Sequence, residues 1–352
     1  MKKALYYIGT YTWKTSKGIY GVYLDPATME FSEPRLMAEV ASPTYSVFNK
    51  DKTVMYTASE PIDNSKGAVT AYSIEPSTGE LKMINQVQAP GRGLCHISIN
   101  NSNTWLFAVS YSDATVQVYP IRDDGSVGEL VCVREHVGKG ADPTRQESAH
   151  AHLSCLTPDE QYLCVCDLGI DKLVVYRFNS KTGQLDYDQN MTVNLPAGCG
   201  PRHMVFHPNG RLAYLLSELS SQVFVLSYHP ENGFTVLQSI NTLYQWEGYS
   251  IAAAIRISDD GKFLYTSNRG EDSISIFKID VNTGLIEHIA NTPVLGRHPR
   301  DFILSGSLLI CANMDTDNIT VFQVSKQCGT FVPVKEITGV SKPVSVLEYQ
   351  LA

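Results

Sequence analysis

Apolar and polar positions alternate along this chain in a pattern that recurs. Residues 203–218 read HMVFHPNGRLAYLLSE, residues 253–268 read AAIRISDDGKFLYTSN, and residues 151–167 read AHLSCLTPDEQYLCVCD. Each copy is an alternating run, a tight turn built on Pro, Asp, Asn or Gly, and a second apolar run. The period of two marks strands, and the turn residues supply the backbone angles that fold one strand back on the other, so each copy predicts a β-hairpin. A third short strand follows each hairpin: 174–176, 223–225 and 274–277. A turn such as Thr182-Gly183 or Thr283-Gly284 then leads to a fourth. Weaker copies lie at 45–59, 96–110 and 300–313, with third strands at 69–72, 116–119 and 319–322. A four-strand unit repeating at about 45–55 residues is the signature of a β-propeller.

The chain ends supply the remaining unit. Residues 4–10 read as a second strand lacking its first, and 19–23 as its third; the missing first strand is 343–349, at the far terminus. The expectation is an all-β fold, a single seven-bladed β-propeller over residues 1–352, with one blade closed by strands from both ends. Such closure leaves no free sheet edge.

Composition adds to this picture. The chain is 43% hydrophobic, with 19 Tyr and 12 Phe, which suits stacked sheets. No apolar run reaches membrane-spanning length. The basic start at Met1-Lys2-Lys3 turns at once into strand, without the apolar stretch of a signal peptide. The chain is therefore expected to be cytoplasmic and to have no membrane partner. Cys155, Cys164, Cys166 and Cys311 fall in apolar strands and show neither zinc nor redox spacing. They read as reduced packing residues. A net charge of −8 argues against nucleic acid as a partner, because phosphate neutralisation needs a basic surface.

Innermost strands line the central channel of a propeller, so the residues that open them are where chemistry would collect. Here these are His96, His150, His152, Arg202, His203 and Arg300, while the following strands end in Glu218 and Arg269. Several Arg and His converging in an acidic protein imply a positive well for an anionic ligand. Arg can hold a carboxylate or phosphate through two parallel hydrogen bonds. Structural readings stand beside this one. Arg202 and Glu218 also fit an ion pair within one hairpin, and His150 fits a channel-lining hydrogen bond. His150 and His152 form a His-x-His half-site, but no further ligand set accompanies them, so no metal is assigned.

The strings ESAHAH, PDEQYLCVCDLGIDKLVVY, GCGPRHMVFHPNGRLAYLLSEL, ISDDGKFLYTSNRGEDSISIF and HPRDF resemble the seven-bladed propeller lactonases. That family includes propeller-type 6-phosphogluconolactonases and 3-carboxy-cis,cis-muconate lactonizing enzymes. The likeness runs from Gly-Thr-Tyr-Thr at 9–12 to the closing strand. It implies a catalytic group of His152, Arg202, Glu218 and Arg269, with His150, His203 and Arg300 as neighbours. His96 rests on the channel argument alone. The implied activity is hydrolysis of a sugar-acid lactone, 6-phosphogluconolactone foremost, without metal or organic cofactor. Cycloisomerisation or hydrolysis of a carboxylated lactone, and a non-catalytic binding propeller, are the alternatives. Arg202 and Arg269 are expected to stabilise the oxyanion or hold an anionic substituent, and Arg300 to contact phosphate. Either His152 or Glu218 would be the base.

Overall fold

The computed structural model describes residues 3–25, 27–61 and 65–352. Among these residues there is no helix, and the strands form seven antiparallel sheets. Each predicted hairpin is present. In chain order the innermost strands are Pro43–Phe48, Leu94–Ile99, Ala151–Leu156, Pro201–Phe206, Ile251–Ile257 and Pro299–Ser305, and the seventh is Pro343–Gln350. Each packs against the innermost strand of the next sheet, so the seven form a closed ring around the axis.

The terminal strand closes this ring as the sequence predicts. Pro343–Gln350 pairs antiparallel with Ala4–Thr10, with Tyr6 opposite Glu348 and Ile8 opposite Val346. Ala4–Thr10 then pairs with Gly18–Asp25. One sheet thus unites both ends of the chain.

Alternation along the strands places apolar side chains on both faces of each sheet, and the apolar cores lie between sheets. One core joins Leu153 and Val175 to Leu215 and Phe224 of the next blade. Another joins Tyr6 and Val346 of the closing blade to Ile310 and Val321. Cys164, Cys166 and Cys311 are fully buried in such cores as free thiols, and burial raises their pKa well above the ordinary thiol range.

A polar latch recurs from blade to blade. A tyrosine on the second strand donates its hydroxyl to a glycine carbonyl in the outer turn of the next blade. Tyr7 bonds Gly79 O at 2.5 Å, Tyr56 bonds Gly125 O at 3.0 Å, Tyr214 bonds Gly284 O at 3.0 Å and Tyr265 bonds Gly329 O at 2.9 Å. These turn glycines have φ between 72° and 81°, left-handed backbone that a side chain disfavours. The Thr-Gly and related turns are therefore fixed by geometry, and their carbonyls present a fixed acceptor to the neighbouring blade.

Candidate active site

Two rings of residues build one mouth of the channel. The first comes from a register slip at the same place in every sheet. Pro201 faces Ser217 and His203 faces Leu216, leaving Arg202 extra; Ala151 faces Asp167 and Leu153 faces Cys166, leaving His152 extra. The same bulge isolates Arg300, Thr44, Cys95 and Val344, and sets Ala253 and Ala254 together opposite Ser267. A β-bulge bends its strand and re-aims a side chain. Six of these residues meet around a small void of about 20 Å³ on the axis.

The second ring comes from the residue that follows a small buried polar residue at the end of each second strand. Thr10, Ser59, Ser110, Asp167, Ser217, Asn268 and Asn313 are all buried. Their successors are Tyr11, Glu60, Tyr111, Leu168, Glu218, Arg269 and Met314. All but Leu168 line a cavity of about 350 Å³ directly above the bulge ring, together with His152, Arg145, Arg300 and His298.

Glu218 is the centre of this cavity's electrostatics. Its Oε2 accepts from Arg202 Nε at 2.8 Å and is paired with Arg269 Nη2 at 2.7 Å, while its Oε1 accepts from Arg145 Nη2 at 2.5 Å. Burial would raise the Glu218 carboxyl, but Arg269 and Arg202 outweigh it and hold the group well below the usual carboxylate range. The arginines are anchored in turn: Arg202 Nη1 donates to Ala253 O, and Arg269 Nη2 donates to Ala252 O at 2.6 Å. Burial, then Arg269, lower Arg202 to about 9, so it is still cationic at neutral pH. Across the mouth, Arg300 Nη2 donates to Tyr11 Oη at 2.7 Å, and Tyr11 donates to Glu60 Oε2 at 2.9 Å. Burial raises the Glu60 carboxyl. Four guanidiniums therefore face two carboxylates, one of them biased towards its neutral form, and the excess positive charge is poised for an anion.

His152 is a neutral imidazole at this mouth. Burial, reinforced by Arg202, lowers its pKa well below the ordinary histidine value. Its Nδ1 is buried and has no hydrogen-bond partner among the described residues. His152 packs edge-on against Tyr111 and His203, with ring centroids 5.7 and 5.3 Å away.

The structure brings His152, Glu218, Arg269 and Arg300 to one cavity and sets Arg202 just beneath it, bonded to Glu218. His203 lines the lower void, and His96 lies deeper still, against Tyr45 and His203 at 4.1 and 5.7 Å. Burial lowers both histidines, His96 to about 3, so they are neutral polar packing around the axis. His150 stands outside the cavity. Its ring stacks on the Tyr111 ring at 4.3 Å and its Nδ1 meets Tyr111 O at 3.0 Å. His150 and His152 thus do not face one another across a site, and no group of His, Cys, Asp or Glu able to hold a metal ion occurs among the described residues. Glu60 and Tyr11 were legible in principle, since they occupy the same repeat position as Glu218. Arg145, Trp13 and His298 lie in connecting segments with no periodic signal.

The chain as a whole matches known proteins. The family model "Lactonase, 7-bladed beta-propeller" covers residues 5–348. A protein of Bacillus subtilis (strain 168) named 6-phosphogluconolactonase is 35% identical over 350 residues, 98% of each chain. The solved periplasmic gluconolactonase of Pseudomonas aeruginosa, PpgL, superposes with a TM-score of 0.94 at 30% identity, covering 99% of this chain and 100% of that one. A putative 6-phosphogluconolactonase from Bacteroides fragilis superposes with a TM-score of 0.90 at 29% identity, covering 99% of this chain and 98% of that one. With its hairpin repeat, its ring closed by both termini and its arginine-bound glutamate at the channel mouth, the chain belongs to the seven-bladed β-propeller lactonase family, and it is a lactonase.

Proposed function

We propose that this lactonase hydrolyses 6-phosphogluconolactone to 6-phosphogluconate. The observation that carries this reading is the surplus of guanidinium over carboxylate around one cavity, Arg145, Arg202, Arg269 and Arg300 against Glu218 and Glu60. The names of the Bacillus and Bacteroides relatives point the same way. In the proposed reaction His152 takes a proton from water, and the oxygen adds to the lactone carbonyl. Arg269 stabilises the oxyanion that forms. The ring C–O bond then breaks, and the proton passes from His152 to the leaving alkoxide, giving the open acid. Glu218 does not serve as base here, because a carboxylate held by three guanidiniums has little affinity for a proton. Its part is to orient the arginines. Arg300 contributes to holding the anionic substituent.

The test is a panel of phosphorylated, carboxylated and neutral lactones, each with and without chelator. The expected result is the highest kcat/KM on the phosphorylated lactone, unaffected by chelation. A higher kcat/KM on a carboxylated or neutral lactone would overturn the substrate assignment, and loss of activity on chelation, restored by one divalent ion, would overturn the metal-free scheme.

A further inference from the structure

The segment 136–150 joins two blades and carries no strand, yet it is fastened at both ends and in the middle. Asp167 holds both ends. Its Oδ2 lies 2.5 Å from His136 Nδ1, and its Oδ1 accepts from the His150 backbone N–H at 2.8 Å. Gln146 holds the middle. Its Nε2 donates to Leu168 O and to Asp171 Oδ1, both at 2.7 Å, and its Oε1 accepts from Asp142 N at 2.9 Å. Asp167, Asp171 and Gln146 are all buried. The turn beneath is pressed so closely on the segment that a Cβ at Gly169 would lie 1.9 Å from Ser148 O. Burying polar groups under a connector costs free energy unless they find partners, and the side chains of Asp167, Asp171 and Gln146 all do.

The residue this strap delivers is Arg145, next to Gln146. Arg145 differs from the other arginines on Glu218. Arg202 and Arg269 share Oε2 and their side chains are 3% and 5% exposed, whereas Arg145 alone takes Oε1 and its side chain is 33% exposed. Its second contact, to Tyr111 Oη at 3.4 Å, is long. Glu218 would still be compensated by two guanidiniums if Arg145 turned to a ligand.

We propose that Arg145 grips the anionic substituent of the lactone and sets the enzyme's preference for anionic over neutral lactones, and that Gln146 is the positioning residue that holds it over the cavity. This rests on the reading that the substrate is anionic. Planar two-point contact and partial exposure suit Arg145 to an oxyanion arriving from solvent.

The test compares Arg145→Met and Gln146→Leu with the parent on the same lactone panel, with inorganic phosphate as a competitive inhibitor. For Arg145→Met the KM of the phosphorylated lactone should rise roughly tenfold or more, the effect of losing a charge-assisted hydrogen bond, while kcat falls far less. The preference over neutral lactone and the affinity for phosphate should fall in parallel. Gln146→Leu should show the same split of KM from kcat, and should add little in the double variant. If Gln146→Leu does not fold, Arg145→Met decides alone. A parent that prefers an anionic lactone and a variant that keeps this preference and its inhibition by phosphate would overturn the assignment of Arg145 and leave the substrate reading intact. A parent that prefers a carboxylated lactone, with the preference lost in Arg145→Met, would overturn the phosphorylated substrate and support Arg145. A parent with no anionic preference and no inhibition by phosphate would overturn both.

Discussion

At the scale of single residues, the site is governed by burial working against charge. Glu218 is buried yet anionic because Arg269, Arg202 and Arg145 surround it, and His152 is buried and neutral because nearby Arg202 adds to the cost of protonating it. This division has a consequence for the pH profile. A general base must be unprotonated, and a lowered pKa keeps His152 unprotonated to lower pH. The log kcat/KM profile should therefore be flat through the ordinary histidine range around 6.5, with its acid limb well below it. An acid limb near 6.5 would count against His152 in this environment. Replacing His152 by Ala should lower kcat by roughly two or more orders of magnitude, as for loss of a general base. The charge of Arg202 has the opposite meaning from that of Arg145. Arg202 is spent on Glu218 and on Ala253 O, and so supports the site from below.

At the scale of elements, the hairpin is the unit that places chemistry. Its bulge turns one innermost side chain towards the axis, and the end of its second strand places another above it. His152 and Glu218 come from different blades but from these two equivalent positions. Asn268 shows how the second position is held: its side chain bonds Thr242 Oγ1 at 2.7 Å and Ser275 Oγ at 2.8 Å, directly before Arg269. Between blades, the tyrosine latch adds a directional tie to the apolar cores. Tyr214→Phe removes only a hydroxyl and leaves the Gly284 carbonyl without that donor. The expected loss is about 1–3 kcal/mol of stability, the cost of an unsatisfied buried group. Chemical denaturation checks the loss. Tyr214 lies away from the cavity, so turnover per folded molecule should not change. An unaltered denaturation midpoint would show that the latch carries no net stability.

At the scale of the whole molecule, ring closure decides whether the mouth exists. The mouth takes side chains from several blades, and Pro343–Gln350 supplies the last innermost strand beside Ala4–Thr10. Deleting residues 343–352 removes that strand, exposes the backbone edge of Ala4–Thr10 and opens the axis next to Arg300. The truncated protein should aggregate on size-exclusion chromatography and lose activity. A truncated protein that is monodisperse and as heat-stable as the parent would refute the closing role of this strand.

The sequence by itself determined the repeat, the number of blades and the pairing of the two termini, while His152, Arg202, Glu218 and Arg269, which the fold brings to one mouth, came from the likeness to the propeller lactonases. It could do so because hairpins are local: a period of two and a turn residue specify two paired strands without reference to the rest of the chain. Terminal closure was legible for the same reason, since 4–10 read as a hairpin half without its partner. The tertiary structure decided depth and company. Whether His96, His150 or His152 reaches the cavity depends on a one-residue bulge and on which ring stacks on Tyr111, and hairpin periodicity does not record either. In the proposed mechanism the choice between His152 and Glu218 as base turns on how many guanidiniums meet one carboxylate, which is a sum over two blades and a strap. Arg145 stayed hidden because its strap is fastened by buried side-chain hydrogen bonds rather than by strand pairing. Such bonds join residues distant in sequence, so only the folded ring brings them together.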